Sequence, residues 1–182
     1  MEEKHAEIVK KNLIRHGSIL DMYDLEMELP DGSHEHWDFV SHRKGAACVV
    51  AVFPDGRLLL VRQYRPALGR YTWELPAGAR DSVNESTKVC AERELREETG
   101  YDSDELVQLL SLKATVAYDD ELIDVYLARN IRKIGAQQLD PAESINMKAF
   151  TLDEVLQAIK DLKIQDAKTV AGILAYKAYY VD

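Results

Sequence analysis

Residues 92–100 read ERELREETG, which crowds Glu92, Glu94, Glu97 and Glu98 ahead of Gly100. The stretch from Ser86 to Thr99 reads as a helix with Val89 and Leu95 roughly on one face. Asn84 or Ser86 is its candidate N-cap, and Gly100 its left-handed stop. Lys88 with Glu92, Glu92 with Arg96, and Arg93 with Glu97 are spaced as ordinary i,i+4 pairs, each contributing a few tenths of a kcal/mol. Glu94 and Glu98 fall outside that scheme: they share a face one turn apart, with no basic residue at i±4. They also occupy the last turn, where the helix dipole is negative and an anion costs about 0.3–1 kcal/mol. A divalent cation shared by Glu94, Glu97 and Glu98 would remove the conflict. Hard carboxylate oxygens without nearby His or Cys favour Mg²⁺ or Mn²⁺ over zinc. A solvated, charged helix face remains the alternative at this point.

The flanking residues decide between the two. LPAG at 75–78, Glu85, and then Arg93-Glu94-Leu95-Arg96-Glu97-Glu98-Thr99-Gly100-Tyr101 closely resemble the Nudix box of the Nudix hydrolase family. One spacing departs, because Gly78 and Glu85 are one residue further apart than in the family pattern, and the loop there is expected to bulge. The resemblance implies an α+β protein of Nudix fold, an α/β/α sandwich of mixed β-sheets. It makes Glu94 and Glu98 the main metal ligands, with Glu97 assisting and the Ala77 backbone carbonyl also reaching the metal. Arg93 would orient the glutamates, and Glu85 would brace the loop. The implied reaction is Mg²⁺-dependent hydrolysis of a diphosphate linked to another moiety, by in-line attack of an activated water.

The rest of the chain is compatible with a small-molecule enzyme. Its 182 residues, 46% hydrophobic, suffice for one compact domain with a real core. A formal net charge of -9 argues against a broad nucleic-acid-binding face. Cys48 and Cys90 lie in apolar or helical context with no zinc or C-x-x-C spacing and read as core thiols, which suggests a reducing cytoplasm. MEEKHAEIVKKN at the start has no apolar signal core, and no apolar run is long enough to span a bilayer.

Periodicity and turns organise the chain. YDLEMEL and the turn PDGSH mark an antiparallel β-hairpin region within 17–44, followed by a second hairpin from GAACVVAVF and RLLLVRQYR around PDG. TWEL, LVQLLSL, LIDVYLAR and NMKAF read as further strands, and GAQQLDPAES as a polar linker. Thr151 with Glu154 forms a capping box ahead of one amphipathic helix, and a last helix runs from about Asp166 to Tyr180. The expected division is a strand region at 1–44 and a hydrolase domain at 45–182.

Substrate class comes from outside the box. HWDFVSHRKGA, LLLVRQYRPALGRYTWELPAG and IQDAKTVAGILAY resemble the ADP-ribose pyrophosphatase and nucleoside-diphosphate-sugar branch of the family. That branch implies Trp37 stacking on the nucleobase, Arg65 on the diphosphate or distal ribose, and Arg62 and Glu74 as further substrate contacts, with Arg43 a weaker candidate. It also implies a homodimer that exchanges N-terminal strands. In TVAYDDELIDVYLA, Glu121 aligns with a loop glutamate that positions or deprotonates the attacking water, with Asp119 and Asp120 as rivals. Val116-Ala117 stands where ADP-ribose hydrolases carry a loop proline, which keeps GDP-mannose or another sugar nucleotide open. Two other readings are a prenyl-diphosphate isomerase, for which Cys48 and Cys90 sit in the wrong contexts, and a non-catalytic ligand-sensing module.

Overall fold

Strand alternation and helix caps account for the architecture. The computed structural model describes residues 4–139 and 144–181, so positions 140–143 of the polar linker lie outside the described residues. The chain divides into two compact units, Met1–Gly45 with Lys113–Leu122, and Ala46–Leu112 with Ile123–Asp182.

The first unit is a three-stranded antiparallel sheet, β1 (Glu7–His16), β2 (Asp21–Glu28) and β3 (His34–Ser41). The expected hairpin is β2–β3, closed at Leu29–Ser33 with Gly32 at φ 84°, a conformation that suits glycine. Its register sets Leu25 opposite Trp37. Strand β1 was not anticipated. Its residues are exposed on both faces, apart from the half-buried Asn12, so no period-two burial pattern marks it.

The second unit contains β4 (Ala46–Val52), β5 (Leu58–Arg65), β6 (Arg70–Glu74), β7 (Ala77–Ala79), α1 (Thr87–Thr99), β8 (Tyr101–Asp102), β9 (Glu105–Lys113), β10 (Leu122–Arg129), β11 (Arg132–Lys133), β12 (Asn146–Phe150), α2 (Leu152–Lys160) and α3 (Ala167–Tyr180). Its main sheet is mixed, ordered β12-β5-β4-β10-β9, with β6 on β5 and β7 on β4. Strands β4 and β10 run parallel, Val49 beside Tyr126 and Cys48 beside Val125.

Because successive side chains leave opposite faces, β4 feeds two cores at once. Ala47, Val49 and Ala51 pack with Leu59, Tyr126 and Ala128 against Cys90, Ala91 and Leu95 of α1. Cys48, Val50 and Val52 pack with Leu58, Leu60, Val125 and Leu127 against Val155 of α2 and Ile173 of α3. The sheet therefore lies between helices on both faces, an α/β/α sandwich. Each fully buried leucine in it is worth about 1.5–3 kcal/mol relative to exposure. Helix α3 approaches closely at Gly172, where a Cβ would lie 2.9 Å from Leu75 and 3.1 Å from Val125. No helix among the described residues is long and apolar enough to cross a membrane.

The caps follow the sequence. Ser86 Oγ accepts from the Val89 N–H, Thr151 and Glu154 complete a capping box, and Asp166 accepts from the Thr169 N–H. Gly100 ends α1 at φ 72°, its N–H donating to the Arg96 carbonyl. A Cβ there would press on the Gly135 carbonyl oxygen. Gly100→Ala should therefore cost about 1–3 kcal/mol, read as a lowered urea midpoint. An unchanged midpoint would contradict this account of how α1 stops.

Candidate active site

Helix α1 and the loop leading into it place the acids. From the middle of α1 Arg93 reaches outward with its whole fork. Nη1 bonds Glu94 Oε1 at 2.6 Å and Glu97 Oε2 at 3.1 Å, Nε bonds Glu85 Oε1 at 3.1 Å, and Nη2 bonds the Ala79 carbonyl at 3.0 Å. The basic partner of Glu94 is thus its neighbour in sequence, a pairing that an i±4 search overlooks. Arg96 turns to Asp102 at 3.2 Å, away from the expected pairing with Glu92. Partial burial works against the Arg93 charge, but Glu85 and Glu94 more than offset it and hold the guanidinium above its ordinary value. In return Arg93 holds the Glu85 carboxyl below the usual range.

Glu94 and Glu98 are buried, with residue exposures of 8% and 2%. The Ala77 N–H donates to Glu98 Oε2 at 3.0 Å. Glu94 lies against Gly78 so closely that a Cβ there would fall inside its carboxylate. Both carboxylates are therefore brought against the backbone of β7, next to the Ala77 peptide.

Among the described residues no three acid, His or Cys side chains are already gathered as a cage for an ion; Arg93 bonds Glu94 and Glu97. The donors nevertheless suit a hard divalent cation, being buried carboxylates one turn apart against the backbone of β7. A group that neutralises them would complete the role that Arg93 fills in part.

The extra residue before the helix is absorbed in the turn at 80–86. Glu85 N–H donates to the Ser82 carbonyl, Asp81 N–H to Glu85 Oε2 at 2.7 Å, and Arg80 Nη1 to the Val83 and Glu85 carbonyls. Glu85 thus joins the loop to Arg93.

A second polar cluster lies at the edge of β5 and β6. Arg65 grips Glu74 bidentately, Nε to Oε1 at 2.8 Å and Nη2 to Oε2 at 2.6 Å. Lys168 bonds Glu74 at 2.6 Å and Asp166 at 2.8 Å, and Thr72 donates to Glu74 Oε1. A cavity of about 330 Å³ opens beside it, lined by Arg65, Leu68, Arg70, Thr72, Gln165 and Asp166 among others. Sequence reasoning missed Lys168 and Asp166. Asp166 stands at the expected start of α3, but nothing local in the sequence marks the contact of Lys168 with Glu74. Leu75 N–H also donates to Thr169 Oγ1 at 2.9 Å, so the first turn of α3 holds the ELPAG segment from behind. Arg62 stacks on Tyr71, its guanidinium carbon 4.2 Å from the ring centre.

The remaining candidates lie in the first unit. Trp37 is 44% exposed on β3, with Nε1 bonded to Glu35. Arg43 spends its guanidinium on the Gly17 and Ser18 carbonyls at 2.6 and 2.9 Å, which tie down the β1–β2 turn. Asp120 accepts from Ser41 Oγ and from the His42 N–H, and Asp119 Oδ1 accepts from the Glu121 N–H. Glu121 Oε1 lies 3.4 Å from His42 Nδ1. Both cysteines are buried and free, and burial pushes each thiol up to about 12, far from a reactive thiolate.

Residues 42–172 match the NUDIX domain. The chain is 35% identical to the methanol dehydrogenase activator of Bacillus methanolicus, covering 91% of this chain and 89% of that protein. It is 31% identical to the ADP-ribose pyrophosphatase of Bacillus subtilis (strain 168), over 95% and 93% of the two chains. Against the ADP-ribose pyrophosphatase of Mycobacterium tuberculosis the identity is 31%, over 98% and 86%. A solved structure of an ADP compounds hydrolase superposes over the full length of both chains with a TM-score of 0.87 at 18% identity, which is agreement in fold.

Although burial pushes it up, Glu74 is held at about 2, against an ordinary 4.5, by Arg65, Lys168 and Thr72. The unfolded chain then binds the proton more readily than the folded one. This carboxylate's stabilisation is complete above about pH 4.5 and is lost as pH falls towards 2. Urea midpoints of the wild type and of Glu74→Gln should differ most near neutrality and converge across that window. A difference that did not change with pH would argue against a charged network at Glu74.

Proposed function

The chain belongs to the NUDIX hydrolase family, and on that premise we propose that it hydrolyses the diphosphate of ADP-ribose or a related nucleoside diphosphate sugar to a nucleoside monophosphate and a sugar phosphate. The observation that carries the reading is the buried pair Glu94 and Glu98, set against Ala77 and Gly78, with Glu94 tied to Glu97 through Arg93. Family members generally depend on a divalent metal, and Mg²⁺ is the ion proposed here, with Mn²⁺ as substitute. When bound, such an ion neutralises the diphosphate and acidifies a water.

The chain's own groups do the rest. Glu94, Glu98 and the Ala77 carbonyl are the ligands, Glu97 assists, and Arg93 orients the carboxylates. Glu121 takes the proton from the attacking water as the phosphoanhydride P–O bond breaks. Asp119 and Asp120 are the poorer candidates, because their carboxylates already accept bonds that build their own loop. Trp37 offers an exposed ring to the nucleobase. Arg65, aligned by Glu74 through Nε and Nη2, presents its remaining donors to the diphosphate. Arg62 and Glu74 support that contact.

The relatives named ADP-ribose pyrophosphatase favour ADP-ribose, whereas Val116-Ala117 in the acid-rich loop keeps GDP-mannose as a second reading. Incubation with Mg²⁺ and a panel of ADP-ribose, GDP-mannose, UDP-glucose and NADH, with products resolved, separates the two. Failure to cleave any member with either metal would leave a ligand-sensing role. Glu98→Gln should lower kcat by about two orders of magnitude or more while the melting curve stays that of a folded protein.

The strand region at 1–44 and the hydrolase domain at 45–182 are taken as two functional parts, the first serving assembly. Ile8, Val9, Leu13 and Ile14 on β1 are each more than half exposed, an apolar surface that a second copy of the chain would cover. Light scattering should accordingly give twice the 20.7 kDa of one chain. A single-chain mass would overturn the dimer. Two free buried thiols suit a reducing cytoplasm.

A further inference from the structure

The loop at 114–121 is stitched to the end of β3. Val40 N–H donates to the Tyr118 carbonyl at 2.7 Å, Asp120 N–H returns a bond to the Val40 carbonyl at 3.3 Å, and Val40 forms a parallel bridge with Asp119. Ser41 Oγ donates to Asp120 Oδ2 at 2.8 Å, and the His42 N–H to Asp120 Oδ1 at 2.7 Å. Lys113 Nζ closes the far side on the Asp120 carbonyl at 2.8 Å. The backbone at Glu121 is therefore held on its N-terminal side by a continuous ladder, with its own N–H on Asp119.

The side chain is steered by one neighbour in particular. His42 Nδ1 lies 3.4 Å from Glu121 Oε1, and the two side chains are only 20% and 17% exposed. Two half-buried groups in that geometry restrict each other's rotamers more than an exposed pair would. His42 also follows directly on β3, the strand that bears Trp37.

We propose that His42 is a positioning residue for Glu121, fixing its carboxylate through Nδ1, and that β3 thereby joins the Trp37 nucleobase platform and the proton-accepting carboxylate in one rigid element. This rests on the assignment of Glu121 as the base. Its consequence is a split between catalysis and binding. Loss of the imidazole leaves Trp37 in place but loosens the hold on the Glu121 carboxylate, so the chemical step suffers while ground-state affinity does not.

The test is a set of steady-state measurements on the full chain with Mg²⁺ and the substrate cleaved fastest in the panel. His42→Ala should lower kcat about tenfold or more with KM within about twofold. His42→Asn, whose Nδ2 takes the place of the imidazole Nδ1, should recover most of that loss, whereas His42→Gln should not. His42→Ala combined with Glu121→Gln should be no slower than Glu121→Gln alone, because a positioning residue has nothing left to position. Melting curves like wild type for all variants exclude a folding defect as the cause. Fully multiplicative losses in the double variant, or equal activity of the Asn and Gln variants, would overturn the proposal. Full activity of Glu121→Gln would instead overturn the base assignment and the proposal with it.

Discussion

The Arg93 guanidinium ties together most of the acids of the site. Carboxylates at 94, 97 and 98 would repel one another and the negative end of α1, and two of them are also removed from water. Arg93 bonds two of the three, Glu85 and the Ala79 carbonyl at once. The loop before the helix and the acidic face of the helix thus meet at this guanidinium. With Lys in its place the planar fork would be lost and the bonds could not all be made together.

The same constraint recurs on the other side of the ELPAG segment. Glu74 is buried and charged, which is tolerable only because Arg65 and Lys168 pair with it and Thr72 donates to it. Lys168 and Thr169 come from the first turn of α3, so this distant segment fixes the strand that leads into β7. Gly172 lets that helix approach closely enough to do so. A segment that reads as ordinary core thereby supports the site.

Two physical regimes divide the molecule. In the second unit the inner strands β4 and β10 are buried on both faces, and the alternation of β4 between α1 and the α2–α3 side makes the packing unambiguous. The first unit is a thin sheet whose outer strand buries almost nothing within one chain. What it contributes is an exposed tryptophan and the ladder that holds the acid-rich loop.

The central helix, its cap narrowed to Asn84 or Ser86, its Gly100 stop, the β4–β5 hairpin, the Thr151 capping box and the family itself were legible in the chain, because caps, turns and box spacing are local signals within a few residues. So was the identity of the acids that need a counter-charge. Strand β1 was not legible, since a strand exposed on both faces has no alternation to read. Nor were the partners: that Arg93 reaches across to Glu85, that Lys168 meets Glu74, that Arg43 serves a turn, and that His42 stands beside Glu121. Those pairings depend on side-chain direction and on strands brought together from distant parts of the sequence. Residue type and spacing determine which charges must be matched, and only tertiary packing decides which group matches them.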